Sequence, residues 1–224
     1  MDLEMQDVSE LLQLSLEEVE ELASSGKLPA YRLDKSAPYR FSKIEIEEWM
    51  MKSDVAFKPK EESAGRTAGF AHFGLYRALT KGAVLTDLTT TTKEGLIRET
   101  MDRTADKLEL DAAVLSDLLL DRESLMPTAL GHGVGVPHAR DFLLEKQHDL
   151  IILVFPKEPI DYGALDGEKV HSLFFLFACQ DKRHLHLLAK LAHFTSQPEN
   201  IEFLQTRPER AQLLEHVKAW EAQF

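Results

Sequence analysis

Two short, unbroken apolar runs set the strongest limit on the fold: Ile151-Ile152-Leu153-Val154-Phe155 and Leu173-Phe174-Phe175-Leu176-Phe177. Neither alternates apolar with polar residues, so neither offers a face to water. Runs of this length and composition read as strands covered on both sides. The segments around them have helical spacing, over 93–108, 111–120, 185–194 and 208–220. Strands interleaved with helices predict an α/β unit with a central sheet.

The front of the chain reads differently. Val8, Leu11 and Leu12 form one short helical stripe, and Val19, Leu22 and Ala23 form another. Ser15 followed by Glu18 is a capping box that starts the second helix, and Gly26 ends it. The segments 27–33 and 39–41 flank a turn-rich stretch and are expected to pair as a small hairpin. Ser42 and Glu45 repeat the capping pattern, with Ile46 and Trp49 facing the core of a third helix. Two short helices and a hairpin outline a winged helix-turn-helix. Beyond Ser53 the periodicity fails, and Lys58-Pro59-Lys60-Glu61-Glu62-Ser63-Ala64-Gly65 has the composition of a linker. The expected units are 1–54, a linker over 55–69, and the α/β unit over 70–224.

Charge narrows the function. The 224 residues carry 26 Lys and Arg against 38 Asp and Glu, a net charge of −12. Of these, 6 basic and 13 acidic residues fall within 1–54, a net of −7 for that unit. General polyanion binding or adhesion to an anionic bilayer is disfavoured at this balance. The single cysteine, Cys179, excludes an intrachain disulfide and a thiolate metal cluster. No run of about 18 apolar residues predicts a membrane span. The start, Met1-Asp2-Leu3-Glu4, lacks the basic region of a signal peptide, so a cytoplasmic protein is expected.

The chemistry concentrates in Gly131-His132-Gly133-Val134-Gly135-Val136-Pro137-His138. Its glycines permit close backbone approach and positive φ, and Pro137 holds Val136 extended. A neutral imidazole at such a rigid point, beside backbone N–H groups, suits nucleophilic attack on phosphorus. Upstream, Arg122 offers a planar fork for phosphate and Thr128 a hydroxyl. The spacing is not a dinucleotide fingerprint, and no GxxxxGK[ST] occurs. A plain glycine-rich turn with an incidental histidine fits the same residues. A second histidine, His184, opens a helix after an apolar run, where free N–H groups favour an anion. A solvated histidine is the simpler account of it. His184 and His186 point about 200° apart on a helix, so no metal site is expected from them, and no cofactor motif is present.

The run from Asp121-Arg122-Glu123 through Thr128 to Pro137-His138 resembles the active-site signature of the enzyme IIA domain of the fructose–mannitol type, whose nitrogen-regulatory branch shares it. Pro159-Ile160-Asp161 with Leu165-Asp166-Gly167 resembles the family's middle segment, and His184-Leu185-x-x-Leu188 its second-histidine helix. The resemblance implies a mixed sheet flanked by helices. It also implies a phosphotransferase-type carrier, not a conventional enzyme, phosphorylated on His138 by an HPr-type histidine phosphocarrier. His184 and Arg122 would line the site. Thr128, Gly131, Gly133 and Pro137 would form the phosphate-binding loop. The absence of transporter segments and of a IIB-like cysteine motif favours regulation of a target protein over sugar uptake.

The front unit is similar to helix-turn-helix domains of the excisionase–MerR class, across Val8 to Leu12, Gly26 to Arg32, and Arg40 to Trp49. Arg32, Lys35 and Arg40 are its candidate contacts to DNA phosphates. It departs from that class in its second helix, which carries Glu17, Glu18, Glu20 and Glu21. The competing reading is a phosphorylation-sensing transcription regulator that binds DNA through this unit.

Overall fold

The computed structural model describes residues 2–12, 14–32, 34, 37–52, 74–108, 110–139 and 149–223. The expected linker, 55–69, and the candidate DNA contact Lys35 lie outside the described residues.

The front unit begins with β1 (Asp2–Glu4), then α1 (Met5–Leu12) and α2 (Leu16–Ser24). β2 (Arg40–Ser42) leads into α3 (Lys43–Lys52). Val8, Leu11, Leu12, Val19, Ala23 and Ile46 are buried, as their spacing requires. The capping box of α2 is formed in both directions: Glu18 N–H donates to Ser15 Oγ, and Ser15 N–H donates to Glu18 Oε2 at 2.7 Å. Of the expected hairpin, the described residues show one antiparallel bridge, between Tyr31 and Arg40. The main partner of β2 is β1, with Leu3 opposite Phe41. Trp49 is half-buried, and its indole N–H donates to the Lys27 carbonyl at 2.7 Å.

The α/β unit contains α4 (Gly74–Lys81), β3 (Val84–Leu88), α5 (Lys93–Leu108) and α6 (Ala112–Leu125). A tight hairpin follows, β4 (Ala129–Gly131) and β5 (Val134–Gly135). The central strands are β6 (Leu150–Pro156) and β7 (Ser172–Phe177). Three helices close the chain: α7 (Asp181–Thr195), α8 (Pro198–Gln205) and α9 (Arg210–Glu221). The sheet runs β3-β6-β7-β5-β4. It is mixed: β3/β6 and β5/β7 are parallel, while β6/β7 and β4/β5 are antiparallel.

The two apolar runs owe their lack of alternation to cover on both faces. Ile151, Leu153, Phe155, Phe174 and Leu176 point to the layer of α4, α7 and α9. Ile152, Val154, Leu173, Phe175 and Phe177 point to the layer of α5 and α6. The core of the front unit, including Leu11, Leu12, Ile46 and Met50, is continuous with the first of these layers. Both α1 and α3 pack on α7. The front unit thus covers the end of the sheet at which β5 runs into His138.

α6 runs on past the expected end at 120 to Leu125, with Asp111 capping its N-terminus through bonds from Ala113 and Val114 N–H. Arg122 and Glu123 are therefore helical and buried.

Candidate functional site

The β4–β5 connection is a two-residue turn with positive φ at both central residues, His132 at 52° and Gly133 at 73°. That is the hairpin turn whose twist matches the flanking strands. A Cβ on Gly133 would lie 2.4 Å from His171 Cδ2, so this position has room for glycine alone. Asp166 Oδ2 accepts from His132 N–H at 2.9 Å and holds the turn from the 161–167 loop. Beyond the turn, Val136 N–H donates to the Thr128 carbonyl at 2.8 Å, and Leu176 N–H donates to the Pro137 carbonyl at 2.9 Å. These bonds fix the backbone on both sides of His138, which bridges Leu176.

His138 is 1% exposed. Its Nδ1 lies 2.8 Å from the Val136 carbonyl. A carbonyl only accepts, so Nδ1 carries the proton and Nε2 the lone pair. Nε2 is buried and has no hydrogen-bond partner. Such an atom is uncommon in a folded interior, and His171 Nε2 is the other one among the described residues. Burial pushes the His138 imidazole down to about 3, helped by the charges of His184 and Arg122. The ring is neutral at physiological pH, with its nucleophilic nitrogen ready.

His184 sits in the first turn of α7, 4% exposed, its ring centroid 5.0 Å from that of His138 at 61°. Arg122 is buried and donates from Nη1 to the Met126 carbonyl at 3.1 Å, keeping its charge beside His138. Thr128 is engaged elsewhere: its hydroxyl donates to Glu123 Oε2 at 2.6 Å, and its N–H also meets the Glu123 carboxylate. Lys93 Nζ at 3.1 Å and the Tyr162 hydroxyl at 3.3 Å complete that buried knot. Thr128 reaches the site through the strand it anchors. The structure thus brings His138, His184 and Arg122 together, and sets Gly131, Gly133 and Pro137 on the hairpin that delivers His138.

One functional group is foreign to this unit. Glu47 of α3, 6% exposed, accepts from His184 Nε2 at 3.2 Å. Burial alone would raise its carboxyl, but the bond from His184 and the surrounding positive charge hold it down at about 2. Lys43, one turn earlier, lies 3.7 Å from Glu47 and pairs with Asp181 at the start of α7. Sequence spacing gave no sign of Glu47. It sits among Glu45 and Glu48, where an acid reads as a solvated helix face.

Glu47, His138 and His184 each offer a ligand atom, all within 4.8 Å of one another. The set resembles a cation site in residue type only. Lys43 beside Glu47 and Arg122 beside His138 add two fixed positive charges, which oppose a metal ion and favour an anion.

The mixed sheet, with a buried neutral histidine, a second histidine and an arginine at one end, defines a phosphotransferase enzyme IIA domain. Residues 77–220 match the family described as phosphoenolpyruvate-dependent sugar phosphotransferase system, EIIA 2, and the chain belongs to it. Residues 3–54 match a helix-turn-helix domain. The nitrogen regulatory protein of Pseudomonas aeruginosa is 29% identical over 137 residues, covering 60% of this chain and 88% of that protein. That of Bradyrhizobium diazoefficiens is 32% identical over 112 residues, covering 49% of this chain and 72% of that protein. The crystal structure of the nitrogen regulatory protein IIA-Ntr from Neisseria meningitidis superposes with a TM-score of 0.56 at 28% identity, over 64% of this chain and 97% of that one. No helix among the described residues is long and apolar enough to cross a membrane.

Proposed function

We propose that this chain is a regulatory phosphohistidine carrier of the phosphotransferase system, working in the cytoplasm. It accepts a phosphoryl group on His138 Nε2 from an HPr-type histidine phosphocarrier. The observation that carries this reading is the lone pair of His138 Nε2, buried, unpartnered and held in register by the Nδ1–H bond to Val136. In the transfer, Nε2 attacks phosphorus, the Nε2–P bond forms, and the donor's N–P bond breaks with its electron pair leaving on the donor imidazole. The Val136 carbonyl stabilises the positive charge that develops on the His138 ring. Arg122 and His184 face the charge on the phosphoryl oxygens. Residues 70–224 carry this chemistry, 1–54 form the helix-turn-helix unit, and 55–69 join them. The likeness to nitrogen regulatory proteins supports a regulatory role over sugar uptake.

The test is incubation of the full chain with enzyme I, an HPr-type carrier and labelled phosphoenolpyruvate. Acid-labile, base-stable label is expected on His138, and His138→Ala should abolish it with the fold intact. Unchanged labelling of that variant would end the proposal.

A further inference from the structure

We infer that α3 of the helix-turn-helix unit is an autoinhibitory plug of the phosphorylation site, with the Glu47 carboxylate standing where the phosphoryl group must go. The inference rests on the phosphocarrier reading and adds its regulation. Four observations converge on it. His138 and His184 are 1% and 4% exposed, so no donor protein reaches Nε2 in this arrangement. The group that closes the site is an anion, and it takes the hydrogen bond that His184 would give to a phosphoryl oxygen. The closure is anchored at its rim by Lys43 to Asp181 and by Asp7 to Lys182 at 2.7 Å. Apolar residues of the two units form one continuous core beneath it.

The two occupants exclude each other. A phosphoryl group on Nε2 brings about two negative charges into a space where Glu47 Oε already lies within 4.8 Å of the imidazole nitrogens. Like charges this close in a buried site repel strongly. Accepting phosphate therefore requires α3 to leave, and phosphorylated His138 keeps it away. Reciprocity fixes the size of the coupling: docking weakens phosphoryl acceptance by the factor by which phosphorylation weakens docking. Phosphorylation would free α3 and the face of α1 that holds Asp7 for another partner.

The test compares full-length wild type with Glu47→Gln, which keeps shape and hydrogen bonding but removes the charge, and with Lys182→Glu, an exposed change that sets two acids against each other at the rim. Each is phosphorylated by the HPr-type carrier and, in parallel, by phosphoramidate. Amide exchange over 43–52 is followed in free and phosphorylated protein. Both variants should accept phosphate faster, and the phosphorylation equilibrium of Glu47→Gln should lie further toward the phosphorylated form by roughly 5- to 150-fold. Phosphorylation should release protection over 43–52. Labelling of Glu47→Gln at the wild-type rate, or protection unchanged by phosphorylation, would overturn the plug. No label on any of the three proteins from either donor would instead overturn the phosphocarrier reading itself. In that case the exchange data still report whether Glu47 holds α3 in place.

Discussion

His184 Nε2 and the Glu47 carboxylate are 3.2 Å apart, yet one belongs to the α/β unit and the other to the helix-turn-helix. This bond gives His184 a partner in the closed site that differs from the one it needs during transfer. Once α3 departs, its Nε2 is left to an oxygen of the incoming phosphoryl group. We predict that His184→Ala slows phosphoryl transfer by ~10- to ~1,000-fold, the scale for one oriented donor, without moving the label from His138. Single-turnover transfer followed by mapping measures this. Label on His184 in the wild-type protein would overturn the assignment.

Acid should loosen the fold through the same residues. In the folded chain His138 titrates at about 3, against 6.5 when free. Between those values the unfolded chain binds a proton that the folded one refuses, so stability falls as pH drops through that window. Glu47 acts in the same direction lower down, from 4.5 to about 2. Arg122 faces His138 and Lys43 faces Glu47, and each keeps a fixed positive charge beside its neighbour. We predict that the urea midpoint falls steadily from pH 7 to pH 4, and that His138→Gln flattens the upper part of the fall. Identical pH profiles for the two proteins would count against a neutral, desolvated His138.

The core was legible where burial is two-sided and the element long. The apolar runs at 151–155 and 173–177 lie inside β6 and β7, and α5 has the expected ends. β1, β4 and β5 are three residues or fewer, too short to express a period of two. The apolar spacing of α6 ends at Leu120, whereas the helix runs on to Leu125 and buries the polar Arg122 and Glu123. His138, Arg122 and His184 stood out through their motif. Glu47 could not, since an acid's burial is decided by tertiary docking and not by its neighbours in the chain.

Glu123 should be the most sensitive structural position near the site. It accepts from Thr128 N–H and Oγ1, from Lys93 and from Tyr162. Burial and the Glu123 charge keep the Tyr162 hydroxyl protonated, its titration raised well above the usual range. Removing the carboxylate leaves several buried donors without an acceptor. We predict that Glu123→Ala costs about 3–5 kcal/mol, while Thr128→Val costs about 1–3 kcal/mol. Equilibrium urea unfolding measures both. A loss under 1 kcal/mol in Glu123→Ala would show that water replaces the network.

Gly133→Ala tests the turn that delivers His138. The residue holds φ at +73°, and the added Cβ would press on His171 Cδ2 at 2.4 Å. We predict a loss of about 1–3 kcal/mol, with slower phosphorylation as His138 loses its register. Gly167, also at positive φ but with open space around it, should lose less on the same change. Equal losses at the two positions would mean that backbone strain alone, and not contact with His171, makes Gly133 necessary.

DNA binding by the front unit meets an electrostatic obstacle that the fold leaves in place. Glu17, Glu18, Glu20 and Glu21 are exposed on α2, the helix that enters the groove in such domains. Of the candidate phosphate contacts, Arg40 is engaged with Glu4 at 2.6 Å, and the Arg32 guanidinium lies over the Tyr39 ring at 4.8 Å. A screening length of about 8 Å at physiological salt does not shield acids in contact with phosphates. Releasing α3 from the plug changes none of these charges. We predict that the full chain, unphosphorylated or carrying Glu47→Gln, shows no sequence-selective binding in anisotropy titrations against random and genomic duplexes. Replacing the four α2 glutamates by glutamine should raise nonspecific affinity and leave selectivity absent. Tight, selective binding that disappears in Arg32→Ala and Arg40→Ala would instead show that another face meets the duplex. The phosphocarrier domain would then be the sensor of a transcription regulator.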